Sequence, residues 1–186
     1  MAVDEMEDAF KTYFEEMDRC VTAKCYWALL HMVVVMPDIC AALESDDGEA
    51  DDGRYRNWCK RYLSTRKFLS PDDWHEIRCA LLHQGRTVPK RGRYGSYSFV
   101  QPAPSGDVVH NWVADDRNIT LDVGEMAREM KAAIRSWFID LQDPTKKSAL
   151  DNVRKHLPWL AREKPKIILG GPSITGTNFS STSSGS

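Results

Sequence analysis

A mainly helical fold with a small antiparallel β insertion at about residues 95–123 is what this sequence predicts, on three observations. Apolar residues recur at three- and four-residue steps through most of the chain. One segment carries a full set of helix start and stop signals. Short alternating, β-branched runs are confined to a single stretch punctuated by Pro and Gly. The 186 residues suffice for one domain that buries a core without disulfide or metal staples. The domain is expected to span 1–164, with 165–186 a flexible tail.

The first element is an amphipathic helix around Met6, Phe10, Tyr13, Phe14 and Met17, its first turn crowded with acids where the helix dipole favours them. From about Cys20 to Met36 the chain is apolar almost all round, as suits a helix at the domain centre. Pro37 is expected to end or kink it, with a further turn or two to Glu44 before an acidic loop over 45–53. Tyr55, Trp58, Cys59, Tyr62 and Leu63 mark a short basic helix. In the next segment Ser70 can cap, Pro71 suits the first helical position, Asp72 and Asp73 fill the first turn and Gly85 closes the end, which predicts a helix over 71–84. Runs at 96–100, 108–113 and 118–123 predict an antiparallel meander. Helices are expected over 125–141 and 148–161, with Pro158 weakening the last turn of the second. The Gly-, Ser- and Thr-rich residues beyond Pro165 are too polar to pack.

Composition narrows function only a little. Apolar residues make up 42 %, charged residues 28 %, and the formal charge is -2, values of an ordinary globular protein without a whole-chain nucleic-acid signature. The distribution says more, because Arg54, Arg56, Lys60, Arg61, Arg66, Lys67, Arg86, Lys90, Arg91 and Arg93 make the middle of an otherwise acid-rich chain basic. A local anionic partner fits that stretch. Cys20, Cys25, Cys40, Cys59 and Cys79 are odd in number and contain no C-x-x-C pair, which suits a reducing compartment. The acidic start is unlike a signal peptide and no apolar stretch reaches the ~20 residues of a membrane span, so a cytoplasmic protein without membrane partners is expected.

The segment with chemical potential is Arg78-Cys79-Ala80-Leu81-Leu82-His83. Arg78 and His83 stand five residues apart on the predicted 71–84 helix, so their side chains leave it about 140° apart. One helix cannot close a tight site around them, whereas two copies about a twofold axis can offer both to a shared groove. At these residues the chain resembles the HEPN superfamily, helical domains that carry an Arg, four to six residues and then a His. The phrase Leu81-Leu82-His83-Gln84-Gly85 is also similar to family segments. Cys79 departs from the pattern, since many active members place Asn, Asp or His directly after the Arg.

The resemblance implies a HEPN-like helical bundle, a homodimer, and RNA cleavage without metal or other cofactor by Arg78 and His83. It further implies a setting in toxin–antitoxin pairs or phage defence, with an antitoxin or regulatory protein as a possible partner. Gln84, Arg86, Lys90, Arg91 and Arg93, which follow the His, are then the residues expected to bind RNA. The chemistry is coherent with these residue types. When a ribose 2′-hydroxyl attacks the adjacent phosphate, a His can take and return protons, for which ~10²–10⁴ in rate is typical, and a guanidinium can hold the charged phosphate oxygens. The products would be a 2′,3′-cyclic phosphate and a 5′-hydroxyl, and DNA would be spared. The alternative is a non-catalytic helical module that binds a nucleotide, RNA or a protein, with Arg78 a salt-bridge donor and His83 a helix-terminal hydrogen-bonder.

Other constellations carry less. Tyr55, Trp58, Tyr62, Tyr94 and Tyr97 interleave with the cations and either stack bases or belong to the core. Cys20, Cys25, His31, His75 and His110 lack the paired spacing of a zinc site. Cys79 and His83 lie four apart on one helical face, but a small buried Cys is the simpler reading. Asp46, Asp47, Glu49, Asp51 and Asp52 crowd a loop without the spacing of a calcium loop.

Overall fold

The computed structural model describes residues 3–63, 68–103, 106–115, 117–160, 162–163 and 174–175. Helix α1 (Val3–Thr22) is followed by α2 (Tyr26–Glu44), α3 (Asp52–Tyr62) and α4 (Pro71–Gln84), then by β1 (Ser96–Val100), β2 (Trp112–Asp115) and β3 (Asn118–Asp122). Helices α5 (Val123–Asp140) and α6 (Lys147–His156) complete the mainly helical fold, and Leu157–Trp159 form a tight 3-10 turn around Pro158. A two-residue strand, β4 (Arg162–Glu163), pairs antiparallel with β5 (Ile174–Thr175). The expected flexible tail over 165–186 otherwise lies outside the described residues.

The core is organised on α2, which touches α1, α3, α4, α5 and α6. Its sequence explains this: Leu29, Leu30, Val33, Val34, Met36, Pro37, Cys40, Ala41 and Leu43 are all buried, and such residues on several faces leave a helix no favourable surface position. By length and composition α2, at 19 residues, is also apolar enough to cross a membrane, a test that a buried core helix passes as well. Pro37 neither ends nor splits it, because the helix runs on to Glu44 with Pro37 itself buried. The aromatic centre lies where α1 and α5 meet α2 and α3. Phe10 packs edge-on against Trp137 and Phe138, and Trp137 packs edge-on against Trp58, with centroids 5.2–6.4 Å apart.

Helix α4 has the boundaries its punctuation predicts. The Ser70 side chain accepts from the Asp73 backbone N–H, and the Asp73 side chain accepts from the Ser70 backbone N–H, a reciprocal capping box with Pro71 at the first position. At the other end Gly85 adopts φ +57°, its N–H reaching the Leu81 carbonyl and the Arg86 N–H that of Ala80.

The β insertion is present, but it is not an antiparallel meander. Strand order is β1-β3-β2, with β3 antiparallel to β2 and parallel to β1, in register Ser96 to Asn118 through Val100 to Asp122. Strands consecutive in sequence still alternate in direction, but β3 turns back into the place between β1 and β2, so the two strands that run the same way become neighbours. β2 also starts later than its β-branched residues suggest, since Val108 and Val109 precede it and are exposed.

Left-handed backbone at Gly85 meets no neighbour that would obstruct a Cβ, so the cost of a side chain there is purely conformational. Gly85→Ala is expected to destabilise the fold by about 1–2 kcal/mol, read as a lowered thermal midpoint. Gly85→Asn should lower it less.

Candidate functional site

The site is built where α4 meets α2 and α3. His75, Arg78 and Cys79 are spaced at i, i+3 and i+4 on α4, so they share one face, and that face meets Asp38 of α2 and Asp52, Tyr55 and Arg56 of α3. Arg78 Nε donates to Asp38 Oδ2 at 2.5 Å, and its Nη1 lies 3.8 Å from Asp52 Oδ1. Its guanidinium covers the Tyr55 ring at 5.2 Å. Tyr55 is fully buried, its hydroxyl 3.1 Å from the Val34 carbonyl and 3.3 Å from that of Trp74. The Arg78–Asp38 pair is thus seated on the core, with side-chain exposures of 19 % and 17 %.

His75 fills the centre of the same cluster. Arg56 Nη2 lies 2.9 Å from His75 Nδ1, and since a guanidinium can only donate, Nδ1 accepts. Nε2–H is left to donate to Asp52 Oδ1, 2.9 Å away. The Cys79 sulfur lies 3.6 Å from Nε2. Cys79 therefore meets the His one turn before it rather than His83 one turn after, and burial raises its thiol pKa. Burial also pushes the Asp38 carboxyl above its ordinary value, against the pull of Arg78. Asp52 moves the other way, held down first by its hydrogen bond from His75. For Arg78 burial works against the charge, but the hydrogen bond and charge of Asp38 outweigh it and raise its pKa.

His83 stands apart from this cluster. It lies in the last turn of α4 and is exposed, so a single copy does not bring Arg78 and His83 together, as their angular separation on one helix requires. Beyond it Gln84, Arg86, Lys90, Arg91 and Arg93 are all exposed. Their segment returns along α4: the Arg91 N–H reaches Glu76 Oε2 at 3.3 Å and the Arg93 N–H reaches Asp73 Oδ1 at 3.2 Å. Arg86 donates to the Gln84 side chain, and Arg93 lies over Tyr94 at 5.4 Å.

Burial and pairing decide between the alternative roles weighed for the other residues. Tyr55, Trp58, Tyr94 and Tyr97 are core residues and cannot stack on bases. The α3 cations are largely neutralised: Arg56 pairs with Asp72 at 2.8 Å and Arg61 with Glu44. Arg54 fills the acidic loop, 2.6 Å from Asp47, 3.3 Å from Asp46 and 3.5 Å from Asp51. That loop thus encloses a guanidinium. Arg66 and Lys67 lie outside the described residues. The cysteines and histidines weighed as zinc ligands do not converge, and no group of three or more metal-binding side chains forms among the described residues.

Asp38, Asp52 and His75 are the members of the cluster that the sequence did not single out for this site. The spacing of His75, Arg78 and Cys79 was visible, but Asp38 and Asp52 reach it only through helix packing.

Removing Arg78 leaves Asp38 buried with an uncompensated charge. Arg78→Ala is expected to cost about 1–3 kcal/mol near neutral pH, measured by denaturant unfolding. Because burial places the folded-state pKa of Asp38 above its unfolded value, protonation favours the folded state. The penalty is therefore full at higher pH and shrinks as pH falls through the Asp38 pKa, and Asp38→Asn in the same background should abolish that dependence.

Compared with family models, with curated proteins and with solved structures, the chain finds no match in any of the three.

Proposed function

We propose that this chain is a metal-independent endoribonuclease of HEPN type, acting as a homodimer in which Arg78 and His83 of two copies form a composite site. The observation that carries the reading is that a single helix, α4, presents an exposed His83 and a fixed Arg78 while a segment of exposed cations is pinned along it. His83 is the group able to exchange protons with the ribose 2′-hydroxyl and the leaving 5′-oxygen. Arg78 contributes fixed positive charge toward the phosphate as it becomes pentacoordinate. Its Nε is occupied by Asp38, so the remaining guanidinium donors are the ones to meet phosphate oxygens. Arg86, Lys90, Arg91 and Arg93, with Gln84, hold the RNA backbone. A cytoplasmic toxin or phage-defence effector, restrained by a partner protein, is the setting that belongs to this proposal.

One observation favours a second reading. The ion pair with Asp38 gives Arg78 a private partner against the core, which suits a non-catalytic helical module using its basic segment to bind a nucleotide, RNA or protein.

Purified protein incubated with RNA in excess chelator separates the two. The expected result is cleavage to 2′,3′-cyclic phosphate ends, with His83→Ala slower by ~10²–10⁴ and Arg78→Lys also impaired. Refolding His83→Ala together with Arg78→Lys should restore cutting, because a mixed dimer contains one site with both native groups. Intact RNA with the wild type, or equal cutting by His83→Ala, would give the binding module.

A further inference from the structure

We infer that Cys20 and Cys25 form a redox-active dithiol that a low-molecular-weight disulfide closes into a Cys20–Cys25 bridge. The inference rests on the backbone turn joining α1 to α2 and is independent of the ribonuclease reading. Lys24 adopts φ +57°. Its N–H bonds to the Val21 carbonyl at 3.1 Å, and the Cys25 N–H bonds to the Cys20 carbonyl at 2.8 Å. These are the two hydrogen bonds of a Schellman helix end, with Lys24 as its left-handed residue. In that motif the third residue from the helix end and the second beyond it are the two whose side chains ordinarily touch, and here both are cysteines.

The surroundings suit exchange. Cys25 is exposed and Cys20 half-buried against the core, whereas Cys40 and Cys59 are buried. The pair are close enough to interact electrostatically: burial is the main cause raising the Cys20 thiol pKa, with Cys25 the next contributor and Glu16 adding to it, while Arg19 pulls the other way. The Cys25 sulfur lies 3.6 Å from the Ala23 carbonyl, so it points back over the turn.

The chemistry balances with oxidised glutathione as the oxidant. The Cys25 thiolate attacks one glutathione sulfur, forming a mixed disulfide and releasing one glutathione thiolate. The Cys20 thiolate then attacks the Cys25 sulfur and displaces the second. Two protein thiols lose two electrons and two protons, and one glutathione disulfide becomes two thiols. The product staples the end of α1 to the start of α2 across the turn, two residues before the exposed Trp27.

The test uses the full-length folded protein equilibrated in glutathione buffers of graded oxidised-to-reduced ratio, quenched in acid, alkylated and digested for mass spectrometry. The expected result is a Cys20–Cys25 linked peptide that rises with the ratio and disappears on reduction, also in Cys40→Ala protein. Cys20→Ser should instead stop at a glutathione adduct on Cys25. Independent alkylation of Cys20 and Cys25 at every ratio would overturn the inference. So would a wild-type end state with glutathione still on Cys25, or a link that forms only after denaturation.

Discussion

A single buried carboxylate, that of Asp73, fixes the arrangement on which the candidate site depends. Asp73 is fully buried and accepts from four donors: the Ser70 N–H at 2.9 Å, the Ser70 hydroxyl at 2.8 Å, the Arg93 N–H at 3.2 Å and the Tyr97 hydroxyl at 3.0 Å. Burying a carboxylate costs several kcal/mol unless such partners replace water. Those partners come from three places in the chain. The Ser70 pair starts α4, the Arg93 N–H ends the basic segment, and Tyr97 lies in β1. One side chain thereby sets the origin of the helix bearing Arg78 and His83, the return path of the cations, and the attachment of the sheet. Gly92, at φ +148°, lies beside this node, where an added Cβ would come within 3.3 Å of the Tyr97 hydroxyl.

A second group of charges sits one turn further along α4 and is built differently. Asp38, Asp52, Arg56, His75 and Arg78 form a chain of paired donors and acceptors with its inner end on Tyr55 and its outer end, Asp52, in solvent. Inside, the Asp38–Arg78 pair is strong because little water screens it, and for the same reason the loss of either partner is costly. Outside, Asp52 is mostly exposed and its contacts are worth little in stability. What the outer members supply is orientation: with Arg56 on Nδ1 and Asp52 on Nε2, His75 has both ring nitrogens engaged. His83, in the last turn of α4 and exposed, takes no part in this chain of contacts.

Much of this was legible in the sequence where the signal is local. Helix α4 could be read to the residue because Ser70, Pro71, Asp73 and Gly85 each act within a turn of themselves. The low-amphipathicity run before Pro37 announced a central helix, although it also suggested a break that tertiary packing overrides: Pro37 lies among buried neighbours on both sides and the helix continues. Non-local facts were not legible. Strand alternation locates β1 and β3 but does not encode which strands lie side by side, so the parallel pairing of β1 with β3 was missed. The interleaving of Tyr55 and Trp58 with Arg and Lys looks like a nucleic-acid surface in one dimension. In three dimensions the helix period sends the aromatics inward and the cations outward. Asp38 and Asp52 carry no motif at all, and they matter only because α2, α3 and α4 pack together.

The same logic explains how a chain of net charge -2 can offer a cationic surface. Exposed charges act over about 8–10 Å at ordinary ionic strength, so a ligand responds to the local arrangement and not to the sum. The acids that neutralise α3 do so by direct pairing with Arg54, Arg56 and Arg61. Along the 86–93 segment the acids do something else: Glu76 and Asp73 accept from backbone N–H groups of Arg91 and Arg93. Their hydrogen bonds are thus spent on holding the chain in place, while the guanidinium and ammonium groups of that segment remain at the surface. Pinning a backbone through its amides while leaving its side-chain charges exposed lowers the entropy lost when an anion is bound, and here the pins lie on the first two turns of α4, so the cations run back from the end that carries His83 toward the start of the helix.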